Sequence, residues 1–186
     1  MDQVNPNVEM PRPVDVSDLP SLGHNVPVQA TAAECAALCR RFGLVALQDF
    51  SARLRVERAR TRGGVRAIRV HGAVSAEVRQ ICVLTLESFT VQVADELDIY
   101  FVPPTELEDG ESDLIDNLNE EILEPLAEPE IDVGELAAQH LALALDPHPR
   151  RPGAAAQPGM AAANEANAAE ETENPFAILG QLKHKM

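Results

Sequence analysis

The sequence predicts an α+β fold: a curled antiparallel β-sheet of about five or six strands, with two packed helices, a disordered tether and a short C-terminal helix. Three observations carry it. Residues 66–101 alternate twice between apolar and polar with the period of a strand, residues 44–56 do so once more, and two helix-start signals open amphipathic runs at Thr31 and Asp132. Successive strands joined by short turns favour antiparallel pairing.

The first stretch, residues 1–22, is rich in Pro and Asp and reads as an extended N-terminal arm, with Val14-Asp15-Val16 as a candidate edge strand. Residues 23–150 form the single folded domain. Thr31-Ala32-Ala33-Glu34 is a capping box, followed by Cys35, Leu38, Cys39 and Phe42 on one helical face and by Gly43 as a stop. Cys35 and Cys39 therefore read as small core residues. From Leu44 to Val56, Phe50, Ala52, Leu54 and Val56 share one face, and Ser51, Arg53 and Arg55 the other.

Arg60-Thr61-Arg62-Gly63-Gly64 gives a turn into a strand on which Ile68, Val70, Val74, Ala76 and Val78 share one parity. Gly72 interrupts that strand, which predicts a bulge or break there. After a turn near Leu86-Glu87-Ser88-Phe89, alternation resumes in Phe89, Val91, Val93, Leu97, Ile99 and Phe101. Residues 103–130 hold eleven carboxylates and no base, and read equally as a mobile acidic insertion or as one containing a helix from about Ser112 to Leu123. Asp132-Val133-Gly134-Glu135 looks like a second capping box. It opens a helix through Leu145 that buries Val133, Leu136, His140 and Leu141 and stops at Pro147 and Pro149.

Residues 151–173 are dominated by Ala, Pro, Gly and Glu, the composition of a disordered tether. Residues 174–186 recover a helical pattern, with Asn174 as N-cap, Pro175 at the first helical position and Phe176, Leu179 and Leu182 apolar. This is an amphipathic segment suited to docking on a partner.

The chain carries 15 basic and 30 acidic residues, a net charge of −15, unevenly spread. Residues 1–80 have 11 basic and 8 acidic residues, +3, whereas 81–186 have 4 and 22, −18. A field this negative opposes nucleic acid at long range, so any such contact must be local. Seven arginines, Arg53, Arg55, Arg58, Arg60, Arg62, Arg66 and Arg69, crowd one hairpin against the single acid Glu57. Guanidinium groups so placed can hold phosphates bidentately. They could equally form a solvated edge that resists strand pairing, or pair with the acids of the same chain. No aromatic residue lies beside them in sequence, which disfavours recognition by base stacking.

No phosphate-binding glycine loop and no nucleophile elbow occurs, and the five histidines are scattered. A calcium loop centred on Gly110 fails, because Thr105 and Leu107 stand where carboxylates are needed. The carboxylates Asp109 and Glu111 could serve a metal-dependent nuclease only on a rigid scaffold, so the chain is not expected to be an enzyme and no cofactor is expected. The start lacks a basic-then-apolar leader and no run of eighteen apolar residues exists, which predicts a cytoplasmic protein with free cysteines.

Four blocks together resemble the YceD family of large ribosomal RNA subunit accumulation proteins. They are Glu9–Val14, Gly72–Phe89, Ile131–Leu136 running into Leu143–Arg150, and Asn174–Leu179 with Leu182-Lys183. The resemblance implies a non-enzymatic factor for biogenesis of the large ribosomal subunit that supports 23S rRNA accumulation. Its expected partners are the pre-ribosomal large subunit, ribosomal RNA or a basic ribosomal protein, with no membrane and no DNA. Relatives carry a Cys-x-x-Cys pair in the central block, which suggests a metal site. Here Cys82 is followed by Thr85, and one thiolate does not make a tetrahedral set. The alternative reading is an acidic adaptor or chaperone that shields a basic ribosomal protein, favoured by the −18 half.

Overall fold

The computed structural model describes residues 8–108 and 121–154. Its centre is a meander of three long strands, β3 (Ala46–Arg60), β4 (Arg66–Ile81) and β5 (Ser88–Val102). The alternation read from the sequence sets their faces: Phe50, Ala52, Leu54 and Val56 of β3, Val70, Val74, Ala76 and Val78 of β4, and Leu97, Ile99 and Phe101 of β5 are all buried. β2 (His24–Gln29) pairs antiparallel with β3 and forms one edge, where Pro27 is tolerated. β6 (Ile122–Pro125) forms the other edge and runs parallel to β5.

The main sheet is thus five-stranded and mixed, in the order β2-β3-β4-β5-β6, and not purely antiparallel. The long connection from Val102 to Ile122 allows the chain to cross over and re-enter in the same direction. It also places Ile122 and Leu123 on a strand, where the sequence offered the end of a helix. The rest of that suggested helix lies outside the described residues.

The sheet is open and not strongly curled. β4 and β5 stay in register from Ile68↔Phe101 to Ile81↔Ser88, and the shift in the β3–β4 pairing falls at Gln48/Ser51, beside Asp49 with φ 51°. Gly72 makes no bulge, contrary to expectation. It pairs in register with Leu54 and Leu97 at φ 150°, and a Cβ there would overlap the Arg53 carbonyl oxygen. Glycine serves here for close approach of two strands.

Both expected helices pack on the same face of the sheet, and a five-residue helix, α2 (Pro104–Glu108), adds a third. α1 (Ala32–Arg41) begins as a reciprocal capping box: Glu34 N–H donates to Thr31 Oγ1 at 3.2 Å, and Thr31 N–H to Glu34 Oε2 at 2.7 Å. It buries Cys35 and Leu38. α3 (Val133–Ala144) buries Val133, Leu136, Ala137, Ala138 and Leu141, and leaves His140 half-buried. Its N-cap is Asp132, but the box is only half made, because the Glu135 carboxylate turns outward to Arg41 at 2.7 Å.

A second, two-stranded sheet joins β1 (Pro13–Asp15) to β7 (Glu130–Asp132). Through it the first described residues enter the core, with Met10, Val16 and Leu19 buried. Asp132 Oδ1 accepts from the backbone N–H of Arg12 at 2.8 Å, Gly134 at 2.9 Å and Glu135 at 3.0 Å. Gly134 lies so close to the arm that a Cβ would overlap the Met10 carbonyl oxygen. Gly134→Ala should therefore lower unfolding free energy by about 3 kcal/mol, the upper part of the range for forced overpacking, as measured by urea denaturation.

Candidate nucleic-acid interface

Residue parity divides the arginine-rich hairpin between the two faces of the sheet. Arg53, Arg55 and Arg69 share the odd parity of the open face, away from the helices, with Glu57 and His71. Cross-strand register sets the rows Arg55–His71–Asp98 and Glu57–Arg69–Tyr100 side by side. Arg69 grips Asp98 with two bonds, Nε to Oδ1 at 2.7 Å and Nη2 to Oδ2 at 2.6 Å, and its guanidinium lies 5.4 Å from the Tyr100 ring centroid. Arg55 donates to Glu57 at 2.9 Å, to Asn25 at 3.4 Å and to the Leu22 carbonyl. His71 Nε2 stands 3.4 Å from Glu57 Oε1 without hydrogen-bond geometry.

The positive charge of Arg55 and Arg69 is thus largely answered within the chain. The Arg55 hydrogen bond holds the Glu57 carboxyl below its ordinary pKa, and the Arg69 bond does the same for Asp98. Arg53 has no polar side-chain partner among the described residues.

Arg58, Arg60 and Arg66 share the even parity of Leu54, Val56 and Val70 and lie at the turn end of the hairpin. They line one cleft of about 650 Å³ whose wall includes Ile68, Phe101 and Leu126. Two of the three are fixed by carbonyl oxygens: Arg58 Nη2 donates to Ser17 O at 2.9 Å, and Arg60 Nη1 to Gly64 O at 2.7 Å. Arg66 has no side-chain partner among the described residues, and no described residue lining the cleft is acidic. A carbonyl orients a guanidinium without cancelling its charge, so among the described residues none neutralises these three.

The hairpin tip is itself braced. Thr61 is buried, its N–H donates to Val65 O at 2.9 Å, and its hydroxyl accepts from Val65 N–H at 3.2 Å. Arg62 sits in this turn, where its backbone N–H donates to both oxygens of Glu121 at 2.9 and 3.1 Å. The four docking candidates Pro175, Phe176, Leu179 and Leu182 lie outside the described residues, as does most of the 151–173 stretch.

Phe101 stands forty-one residues from Arg60 in sequence, yet pairs with Ile68 across β4 and β5. Sequence reasoning found no aromatic beside the arginines because the fold supplies it from another strand. The shared parity of Arg58, Arg60 and Arg66 was the available signal for grouping them.

At the opposite end of β4, the loop from Cys82 to Glu87 closes with Leu86 at φ 57°. Cys82 is fully buried, yet the Thr85 hydroxyl and the Arg151 N–H, at 3.4 Å, donate to its sulfur and outweigh burial, lowering the thiol pKa to about 7. Thr85 thus acts as donor to Cys82 and not as its companion ligand. Among the described residues no group of three or more His, Cys, Asp or Glu could hold a metal, so the described side chains around Cys82 do not form a tetrahedral zinc set.

These features define a class: a small two-layer α+β protein with one helix-covered sheet face and a local arginine cleft on an otherwise acidic chain. The family model described as Large ribosomal RNA subunit accumulation protein YceD matches residues 70–183, more than half of the chain, and the protein belongs to this family. No curated protein and no solved structure matches it. Among the described residues no helix is long and apolar enough to cross a membrane.

Two titrations check the electrostatics. Asp98 has a depressed pKa in the folded state, so its stabilisation is present above the ordinary carboxylate range and lost as pH falls through the folded value. Asp98→Asn should therefore lose less stability than the parent between about pH 5 and pH 3, measured by denaturant midpoints. The ultraviolet thiolate absorbance should show a titration step with midpoint about 7 that disappears in Cys82→Ser, while Cys35, raised by burial, titrates above the ordinary thiol range.

Proposed function

We propose that this protein is a non-enzymatic, cytoplasmic factor that supports accumulation of 23S rRNA during large-subunit assembly, and that it holds RNA phosphate at Arg58, Arg60 and Arg66. The observation that carries the reading is the contrast between the two arginine groups. Arg55 and Arg69 are tied to Glu57 and Asp98, whereas Arg58 and Arg60 are oriented by carbonyls and Arg66 has no side-chain partner among the described residues. The family description supports the ribosomal context.

Against a net charge of −15, such binding must be short-ranged and strongly weakened by salt. The acidic half of the chain supports the second reading, an adaptor that shields a basic ribosomal protein, in which the −18 region is the contact surface. Gradient sedimentation of lysate tests the first reading: the protein should co-migrate with large-subunit precursor at low salt and leave it at high salt. Arg66→Glu, which removes no contact seen among the described residues, should abolish co-migration without changing the melting temperature. Retention of the variant on the particle, or recovery of the parent only with a basic ribosomal protein, would favour the adaptor.

A further inference from the structure

We infer that the arginine cleft takes an unpaired nucleotide, so that the RNA element recognised is single-stranded and not duplex. The inference rests on the RNA-binding reading above and specifies its partner. The cleft has two chemically distinct parts: the guanidinium groups of Arg58, Arg60 and Arg66, and a wall of Ile68, Phe101 and Leu126. Its volume, about 650 Å³, lies in the range that holds a small organic molecule.

A duplex presents phosphates outward and keeps its bases stacked inside, so it can meet the arginines but leaves the apolar wall unfilled. An unpaired nucleotide offers both an anionic phosphodiester and a flat base face of limited polarity, and can satisfy both parts at once. Charge favours the same partner. A duplex carries two phosphates per step past a chain of net −15, whereas a single strand brings half that density to the three cleft arginines, which meet no acid among the described residues. On the open sheet face Arg55 and Arg69 already serve Glu57 and Asp98, which leaves Arg53 alone of the three arginines there to meet a duplex.

The test is fluorescence anisotropy on the full chain, with an unstructured oligoribonucleotide and the same strand annealed to its complement. The single strand should bind about tenfold more tightly than the duplex, within the range that base contacts contribute. Leu126→Ser should weaken single-strand binding by about tenfold and leave the residual duplex binding unchanged, with Ile68→Thr, which keeps the β-branched shape, repeating the measurement on another part of the wall. Circular dichroism melts confirm that each variant is folded. Equal affinity for the two forms overturns the inference while leaving phosphate binding intact. Single-strand affinity unchanged in both folded variants overturns the placement of the base in this cleft. Failure of both RNA forms to bind overturns the inference and the RNA-binding reading together.

Discussion

One carboxylate oxygen ties the start of the described chain to its last helix. Asp132 Oδ1 caps α3 through Gly134 and Glu135 and also receives the N–H of Arg12, a residue 120 positions away. Gly134 lets the Met10 backbone press against the helix start, and three ion pairs brace the join: Arg41 bridges Glu9 and Glu135, and Arg12 reaches Glu34 at 2.9 Å. Pairing with Glu135 and Glu9 pushes the Arg41 pKa upward. The consequence reaches the cleft. Once β1 is fixed to β7, Val16 N–H meets Pro129 O, and the next residue, Ser17, presents the carbonyl that orients Arg58.

The chain resolves an apparent contradiction between its overall charge and its basic hairpin by geometry. Alternation along β3 and β4 sends arginines to opposite faces, and on the open face two of them, Arg55 and Arg69, bond to the acids Glu57 and Asp98. The same parity that buries Leu54 and Val70 carries Arg58 and Arg66 into the cleft, where apolar wall and cation meet. The strands thus change character along their length without changing their pattern.

That pattern explains what could be read in advance. The strands of the meander and the helix start at Thr31 were legible because they depend on short-range periodicity and capping chemistry, as Phe50, Ala52, Leu54 and Glu34 show. β2 and β6 were not legible: His24–Gln29 contains Pro27, Ile122–Pro125 is short and set among carboxylates, and each is a strand only because an edge is there to receive it. Gly72 misled for a related reason. A glycine required by a neighbouring backbone looks, in one dimension, the same as a glycine that breaks a strand. The three cleft arginines could be named from the sequence, but their wall could not, since Val16, Phe101 and Leu126 meet only in the folded chain.

The link between Arg12 and Asp132 also fixes an order of events in folding. The β3–β4–β5 meander joins neighbours through short turns and can zip up locally, whereas β1 must wait for a partner more than a hundred residues downstream. During synthesis the long strands emerge well before Glu130–Asp132 exists to receive the first segment. The arginine cleft, which needs Ser17 in place, is therefore among the last parts to be completed, and a nascent chain acquires its long strands before its cleft.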